Sequence, residues 1–249
     1  MKKSVEFGSA AWADEVFSLP PARIVKGRTR WTHRHAPWVA HLKRFAYVES
    51  RNELIAMIAL EYLHRQKQVL RFKEQPFTTD EALFGYTYTP DFLAESATRQ
   101  RYAIEIKTKR FVSRELEAQL DKRKAEFAEH GQVKFLVWTD HNPLTHPLRH
   151  NLLTLRRTSN LNIEADELAR LVELMGQRNQ LPLWALIERG FDSDLIAYAC
   201  WTGHLFLRLT EPINEQSLVS VSPQEDLAAL LFSAEPDLHA FWNALEDAA

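Results

Sequence analysis

The chain has little cysteine, little glycine and no long hydrophobic run. Cys200 is the one cysteine among 249 residues, which excludes an intramolecular disulfide and any cysteine-based zinc finger. The longest apolar stretch, residues 54–63, is interrupted by Glu61 and is too short to span a bilayer. Lys2 and Lys3 precede no apolar segment of the kind found in signal peptides. We therefore expect a globular protein of the cytoplasm.

The formal net charge of -2 hides an uneven distribution of charge. Residues 1–45 contain nine Lys and Arg against three Asp and Glu, and residues 99–124 contain nine against four. Residues 160–249 reverse the balance, with four basic against fifteen acidic residues. Phosphate attracts the first two segments and repels the third, although two solvated surfaces of opposite sign would give the same counts.

Apolar periodicity predicts an α/β fold for the middle of the chain. Residues 51–66 have helical spacing, and a second helix opens at Ser113 and stops near Gly131. Strand-like runs cover residues 69–77, 86–93, 101–108 and 133–138. The order helix, three strands, helix, strand predicts a mixed sheet flanked by helices.

Beyond residue 160 the sequence changes to short helical patterns, at 165–175, 183–189 and 194–202. Two strand-like runs follow, at 204–209 and 217–221, and helices with a small hairpin indicate a mostly helical, winged-helix-like domain. An acidic amphipathic tail ends near Phe241 and Trp242. We divide the chain into a basic N-terminal arm (1–45), a domain that carries the chemistry (46–160) and a partner-binding domain (161–249).

The chemical signal is Pro90-Asp91, followed fourteen residues after the aspartate by Glu105-Ile106-Lys107. Period-two alternation puts Glu105 and Lys107 on one strand face, and a hairpin between the two strands would bring Asp91 beside them. Two carboxylates and the Ile106 carbonyl are hard oxygen ligands for Mg²⁺. Lys107 would stabilise negative charge on a phosphate. Solvated charges on an edge strand are the alternative, but the full pattern predicts metal-dependent hydrolysis of a phosphodiester.

A third acid is expected upstream of this pair. Glu53 follows Ser50 at the start of the first helix, where it could point towards the sheet and complete a metal site. The same Ser-x-x-Glu spacing is a capping box, in which the glutamate closes onto the backbone. The local sequence leaves both roles open, and Glu49 is the second candidate.

The order and spacing of these residues resemble TnsA, the endonuclease subunit of heteromeric transposases, over residues 25–140. The resemblance implies a restriction-endonuclease-like fold of the PD-(D/E)xK superfamily and a Mg²⁺-dependent active site, in which Mn²⁺ would substitute, at Glu53, Asp91, Glu105 and Lys107. The motifs that carry the resemblance are Ser50-x-x-Glu53, Glu74-Gln75-Pro76, Pro90-Asp91-Phe92, Glu105-Ile106-Lys107 and Trp138-Thr139.

The resemblance also implies partners. In that family the endonuclease cuts the 5′ strands at the transposon ends, a TnsB-like transposase cuts and joins the 3′ ends, and a TnsC-like AAA+ ATPase contacts the C-terminal domain. Double-stranded DNA would contact basic residues around the site and in the arm, although the same residues could be helix solvation. These residues are Lys109, Arg110, Arg114, Lys122, Arg123, Lys124, Arg28 and Arg30.

Two other functions fit the sequence. One is a stand-alone restriction or repair nuclease, for which no sequence-reading module is evident. The other is a catalytically silent adaptor that bridges DNA and a regulator. The intact set of Asp91, Glu105 and Lys107 favours an enzyme.

Overall fold

The computed structural model describes residues 5–23 and 35–233. The predicted DNA contacts Arg28 and Arg30, and the tail residues Phe241 and Trp242, lie outside this range. The described strands are β1 (Trp38–Val39), β2 (Arg44–Phe45), β3 (Val69–Glu74), β4 (Phe92–Ser96), β5 (Arg101–Lys107), β6 (Val133–Thr139), β7 (Gln180–Pro182) and β8 (Leu218–Ser220). The described helices are α1 (Ala10–Ser18), α2 (Arg51–Arg65), α3 (Glu81–Phe84), α4 (Arg114–Glu129), α5 (His146–Arg157), α6 (Ala165–Arg178), α7 (Leu183–Ile187), α8 (Ser193–Trp201) and α9 (Leu227–Ser233).

A mixed sheet of β3, β4, β5 and β6, in that spatial order, forms the centre of the fold. β3 and β5 each pair antiparallel with β4, and β6 runs parallel to β5. Alternation along β5 puts Ile104 and Ile106 on one face of the sheet and Ala103 and Glu105 on the other. The α/β class and the mixed sheet flanked by helices are therefore as predicted from the sequence.

The sheet is covered on both faces, which explains why β5 is buried almost throughout. On one face Ile104 packs in a core that includes α2, α5 and α8. On the other face Ala103 packs with Leu120 and Phe127 of α4. Both flanking helices begin at predicted serine caps, because the Ser50 and Ser113 hydroxyls each accept a backbone N–H three residues on.

The C-terminal elements continue the first of these cores. β7 pairs antiparallel with β8, and Phe206 makes a single bridge to Ser220 on the other side of β8. α9 lies against the sheet, where the Phe232 ring stacks on Tyr102 at 4.2 Å and the Leu231 carbonyl accepts a hydrogen bond from the Trp138 indole at 3.0 Å. The first part of the amphipathic tail, α9, thus packs in the hydrophobic core.

Several local expectations were wrong. Part of the N-terminal arm forms α1, which Ser9 caps; neither α1 nor α5 was predicted. The strand expected at residues 86–93 begins only at Phe92 and continues to Ser96, so the connection to β5 is shorter than expected. The run at 204–209 contributes one bridge instead of a strand. No helix in the described ranges is long and apolar enough to cross a membrane.

Candidate active site

The predicted catalytic residues line one cavity at the carboxyl end of β5. Asp91, Glu105, Ile106 and Lys107 contribute to its wall, and Glu53 reaches it from the first turn of α2. They come from three local structures: Asp91 from a loop end, Glu105 to Lys107 from the central strand β5, and Glu53 from a helix N-terminus. The sheet register brings these segments together, since Phe92 pairs with Ile104 and the preceding residue, Asp91, is then opposite Glu105.

Asp91 is fixed by the backbone on both sides. Its Oδ2 accepts a hydrogen bond from the Ile106 N–H at 2.7 Å, and its carbonyl accepts one from the Gln75 N–H at 2.9 Å. The hydrogen bond to the Asp91 side chain fixes the end of the 86–91 loop to β5. Asp91 lies one residue before the point at which β4 starts to pair with β5. One carboxylate oxygen of Asp91 is thus committed to the protein, which orients the group at the cavity.

Glu105 is a buried acid with two charged or polar partners. The Tyr88 hydroxyl donates a hydrogen bond to its Oε2, and the Lys107 ammonium donates one to its Oε1. The carboxylate is 5% exposed and Lys107 remains partly accessible. Burial and the adjacent Glu105 carboxylate raise the pKa of Tyr88, so the phenol stays protonated and acts as a hydrogen-bond donor.

Negative charge is concentrated in this cavity. The pKa of Asp91 is raised well above its ordinary value, first because of burial and then because Glu105 and Glu53 repel its ionised form. The Ile106 N–H and Lys107 oppose this shift without cancelling it. Ionisation of a carboxylate in this cluster costs free energy. A divalent cation bound among the carboxylates would stabilise the ionised form.

Glu53 is held as a cap and also faces the other acids. Its backbone N–H donates to the Ser50 hydroxyl at 3.1 Å, and its Oε2 accepts a hydrogen bond from the Glu49 N–H at 2.8 Å. Burial is the largest cause of its raised pKa, and repulsion by Glu49 and Glu105 contributes in the same direction. The two roles left open by the sequence are therefore compatible in one side chain.

The donor set fits Mg²⁺ through the two carboxylates of Asp91 and Glu105. Within the described ranges, no group of three or more His, Cys, Asp or Glu residues is close enough to hold a metal ion. Mg²⁺ is commonly held by one or two carboxylates together with water and substrate phosphate oxygens. Asp91 and Glu105 meet that requirement, because both line the same cavity. Burial and the neighbouring Glu105 and Glu53 carboxylates raise the pKa of Asp91, and a cation bound there would favour its ionised form.

Among the described basic residues predicted to contact DNA, one is a wall residue of the cavity. Arg123 lines it, with its guanidinium 4.1 Å from the centre of the Tyr88 ring. Lys109 and Arg110 lie in the turn that follows β5, and Arg114 opens α4. The exposed residues of this set are Arg110, Arg114, Lys122 and Lys124. Contact with DNA stays a prediction for all of them.

Three features of the site were not predicted. Tyr88 lay inside a supposed strand, where nothing distinguished its hydroxyl from that of any other β-rich tyrosine. Thr79 fixes it, because the Tyr88 N–H donates to the Thr79 hydroxyl and the Tyr88 carbonyl accepts from the Thr79 N–H, both at 2.8 Å. Thr78 and Thr89 bond through their hydroxyls at 2.8 Å on the same wall. The sequence signal for Tyr88 would have been its place three residues before Asp91.

Comparison with known proteins adds no family assignment. A scan against protein-family models matches no family, and a search of curated proteins finds no significant match. The residues and geometry described above are therefore the basis for a functional interpretation.

Proposed function

We propose that this protein is a Mg²⁺-dependent DNA endonuclease whose active site is formed by Asp91, Glu105 and Lys107. The observation that carries the proposal is the convergence of the three residues in one cavity, with Asp91 opposite Glu105 and Lys107 bonded to the same carboxylate. Carboxylates with an adjacent lysine suit the hydrolysis of a phosphodiester, which requires charge neutralisation and an activated water.

Asp91 and Glu105 would hold the metal ion with the Ile106 carbonyl, and Glu53 would face it from α2. When bound, Mg²⁺ supplies a Lewis acid for the phosphate and lowers the pKa of a bound water. Mn²⁺ would substitute, because it also prefers oxygen ligands.

The protein side chains have separate roles in this proposal. Asp91 is oriented by the Ile106 N–H, and Glu105 by the Tyr88 hydroxyl, so the acids are positioned before DNA arrives. Lys107, partly exposed, stabilises the charge that develops on the phosphate. Arg123, which also lines the cavity, holds a neighbouring phosphate.

We further infer the finer fold and the biological setting. The flanked sheet would be a restriction-endonuclease-like core, and the order α6, β7, α7, α8, then Phe206 and β8, would be a winged-helix-like region. The resemblance to TnsA favours cleavage of the 5′ strands at transposon ends, with a TnsB-like transposase and a TnsC-like ATPase as partners. A cytoplasmic location follows from that setting.

Two other functions give different results in one experiment. A labelled transposon-end duplex is incubated with the protein in Mg²⁺, alone and with a partner transposase, and the cut strand is identified. Cleavage of the 5′ strand that requires the partner supports the transposase subunit. Equal cleavage without the partner supports a stand-alone restriction or repair nuclease. Binding without cleavage in either condition supports a silent adaptor and refutes the proposed activity.

A further inference from the structure

The segment from β2 to Val48 reverses the usual arrangement of side chains in a half-buried strand. Ala46 and Val48 point into the core and are fully buried, whereas Phe45 and Tyr47 alternate with them and point outward. Burying the aromatic rings would remove much more apolar area from water than burying the small residues does. The outward position of the larger rings is therefore a cost to folding that the core does not explain.

A third aromatic ring completes this surface. Trp38 on β1 pairs directly with Phe45, so both side chains lie on the outward face, with ring centres 5.4 Å apart. Trp38, Phe45 and Tyr47 are 48%, 51% and 49% exposed, so each presents about half of its surface to solvent. We call these three residues the aromatic face. A cluster of exposed large rings on a small hairpin indicates a binding surface.

Positive charge accompanies the aromatic face. The groove that contains it is also lined by Arg23, Lys43 and Arg44. Among the described lining residues the one acid is Glu74, which is buried and forms a two-bond ion pair with Arg44. Lys43 is exposed at the tip of the hairpin. Rings interleaved with cations suit a polyanion with planar groups better than an apolar protein surface.

The groove and the catalytic cavity share a lining residue. Arg23 lines both, and its guanidinium forms an ion pair with Glu49 at 3.3 Å. A strand whose phosphate occupies the catalytic cavity can therefore extend past Arg23 onto the hairpin. A base-paired duplex keeps its ring faces stacked internally, so only unpaired bases can offer a face to these side chains.

We propose that the aromatic face binds unpaired DNA bases next to the cleavage site, by stacking on Trp38, Phe45 and Tyr47. This inference rests on the proposed nuclease function and gives its substrate a single-stranded or frayed segment beside the scissile phosphate. Lys43 and Arg23 hold the backbone of that segment, and the rings hold its bases without regard to sequence.

The test measures binding in EDTA, so that it is independent of cleavage. A fluorescently labelled single strand of about 12 nucleotides, within the usual site size, is titrated with the full chain and followed by anisotropy, with the blunt duplex in parallel. The variant carries Phe45→Ala and Tyr47→Ala. The matched control is Trp184→Ala, which removes a ring that is 39% exposed on α7.

Loss of the two rings should weaken single-strand binding by at least about 25-fold, because each stacked base contributes a factor of about five or more. The dependence of affinity on salt should not change, since no phosphate contact is removed. Trp184→Ala should bind like wild type. The pair Phe45→Trp and Tyr47→Phe should bind like wild type, because both positions keep an aromatic ring. The pair Phe45→Leu and Tyr47→Leu keeps apolar side chains but no ring on which a base can stack, and it should bind as weakly as the alanine pair.

Three results would overturn the inference. They are undetectable single-strand binding by wild type, unchanged binding by either the alanine or the leucine pair, and an equal loss of affinity for the blunt duplex. Mg²⁺-dependent nicking by wild type, measured separately, reports the nuclease function, so that either proposal can fail while the other stands.

Discussion

Replacing Asp91 by asparagine should inactivate the protein and at the same time stabilise it. The structure gives the reason: burial and the charges of Glu105 and Glu53 all oppose ionised Asp91. Asparagine keeps an oxygen for the Ile106 N–H, which bonds to the carboxylate at 2.7 Å, and removes the repelled charge. The loss of attraction to Lys107 is smaller, because that contribution to the pKa of Asp91 ranks last.

We expect the free energy of unfolding to rise by roughly 0.5–2 kcal/mol, as for other substitutions that relieve strain in a functional site. For a chain of this size each kcal/mol corresponds to about 2–4 °C in Tm. Thermal unfolding followed by circular dichroism in EDTA at pH 8 measures the difference. Adding Mg²⁺ should stabilise wild type more than Asp91→Asn, because a ligand stabilises only the state that binds it.

The pH dependence of this difference has a defined sign. The pKa of Asp91 is higher in the folded protein than in the unfolded chain, so the folded state takes up a proton first as pH falls. As the pH falls from the raised pKa of Asp91 towards the ordinary aspartate pKa near 4, the free energy of unfolding of wild type therefore increases. Asp91→Asn has no such group and shows no such increase. The gap between the two proteins should narrow as the pH falls through the raised pKa of Asp91. A variant less stable than wild type at pH 8, or a gap independent of pH, would refute the reasoning.

Three further substitutions give independent tests. Glu53→Gln should have the same free energy of unfolding as wild type, since the amide oxygen still accepts the Glu49 N–H. It should lose cleavage, because the amide lacks the negative charge. Full activity would restrict Glu53 to capping. Lys107→Ala should retain Mg²⁺ binding, measured by calorimetry, while cleavage falls at least about 10²-fold; loss of metal binding would contradict its role. Lys73→Met should lower the free energy of unfolding in urea by about 1–3 kcal/mol, because the buried ammonium donates to three carbonyls at the end of α1. The exposed control Lys134→Met should change it very little. Equal effects of the two substitutions would exclude this role of Lys73 in holding α1.

The sequence predicted the elements whose patterns are local. α2 and α4 have serine caps and apolar residues at helical spacing, and both begin where expected. The pairing of β4 with β5 was predicted because two β-rich runs lie close in the chain. The predicted proximity of Asp91 to Glu105 and Lys107 does not depend on where β4 begins. The register of β4 and β5 still brings Asp91 opposite Glu105.

The unpredicted features depend on contacts between distant parts of the chain. α1 is short, and buried Lys73 of β3 donates hydrogen bonds to the carbonyls at its end, so its own periodicity is a weak signal. Tyr88 matters only because β5 presents Glu105 to it. α9 packs against Trp138 and Tyr102 far earlier in the chain, which a reading of its amphipathic pattern could not distinguish from a docking surface.

The central claim is that Asp91, Glu105 and Lys107 form a metal-dependent nuclease site, and single-turnover cleavage of a labelled DNA duplex tests it most directly. Wild type and Glu105→Gln are compared in Mg²⁺, in Ca²⁺ and in EDTA, with the partner transposase present. Wild type should cut one strand in Mg²⁺ only and should bind DNA without cutting it in Ca²⁺. Glu105→Gln should bind DNA equally well and cut it at least about 10²-fold more slowly. Cleavage by Glu105→Gln at the wild-type rate, or wild-type cleavage that persists in EDTA, would contradict the claim.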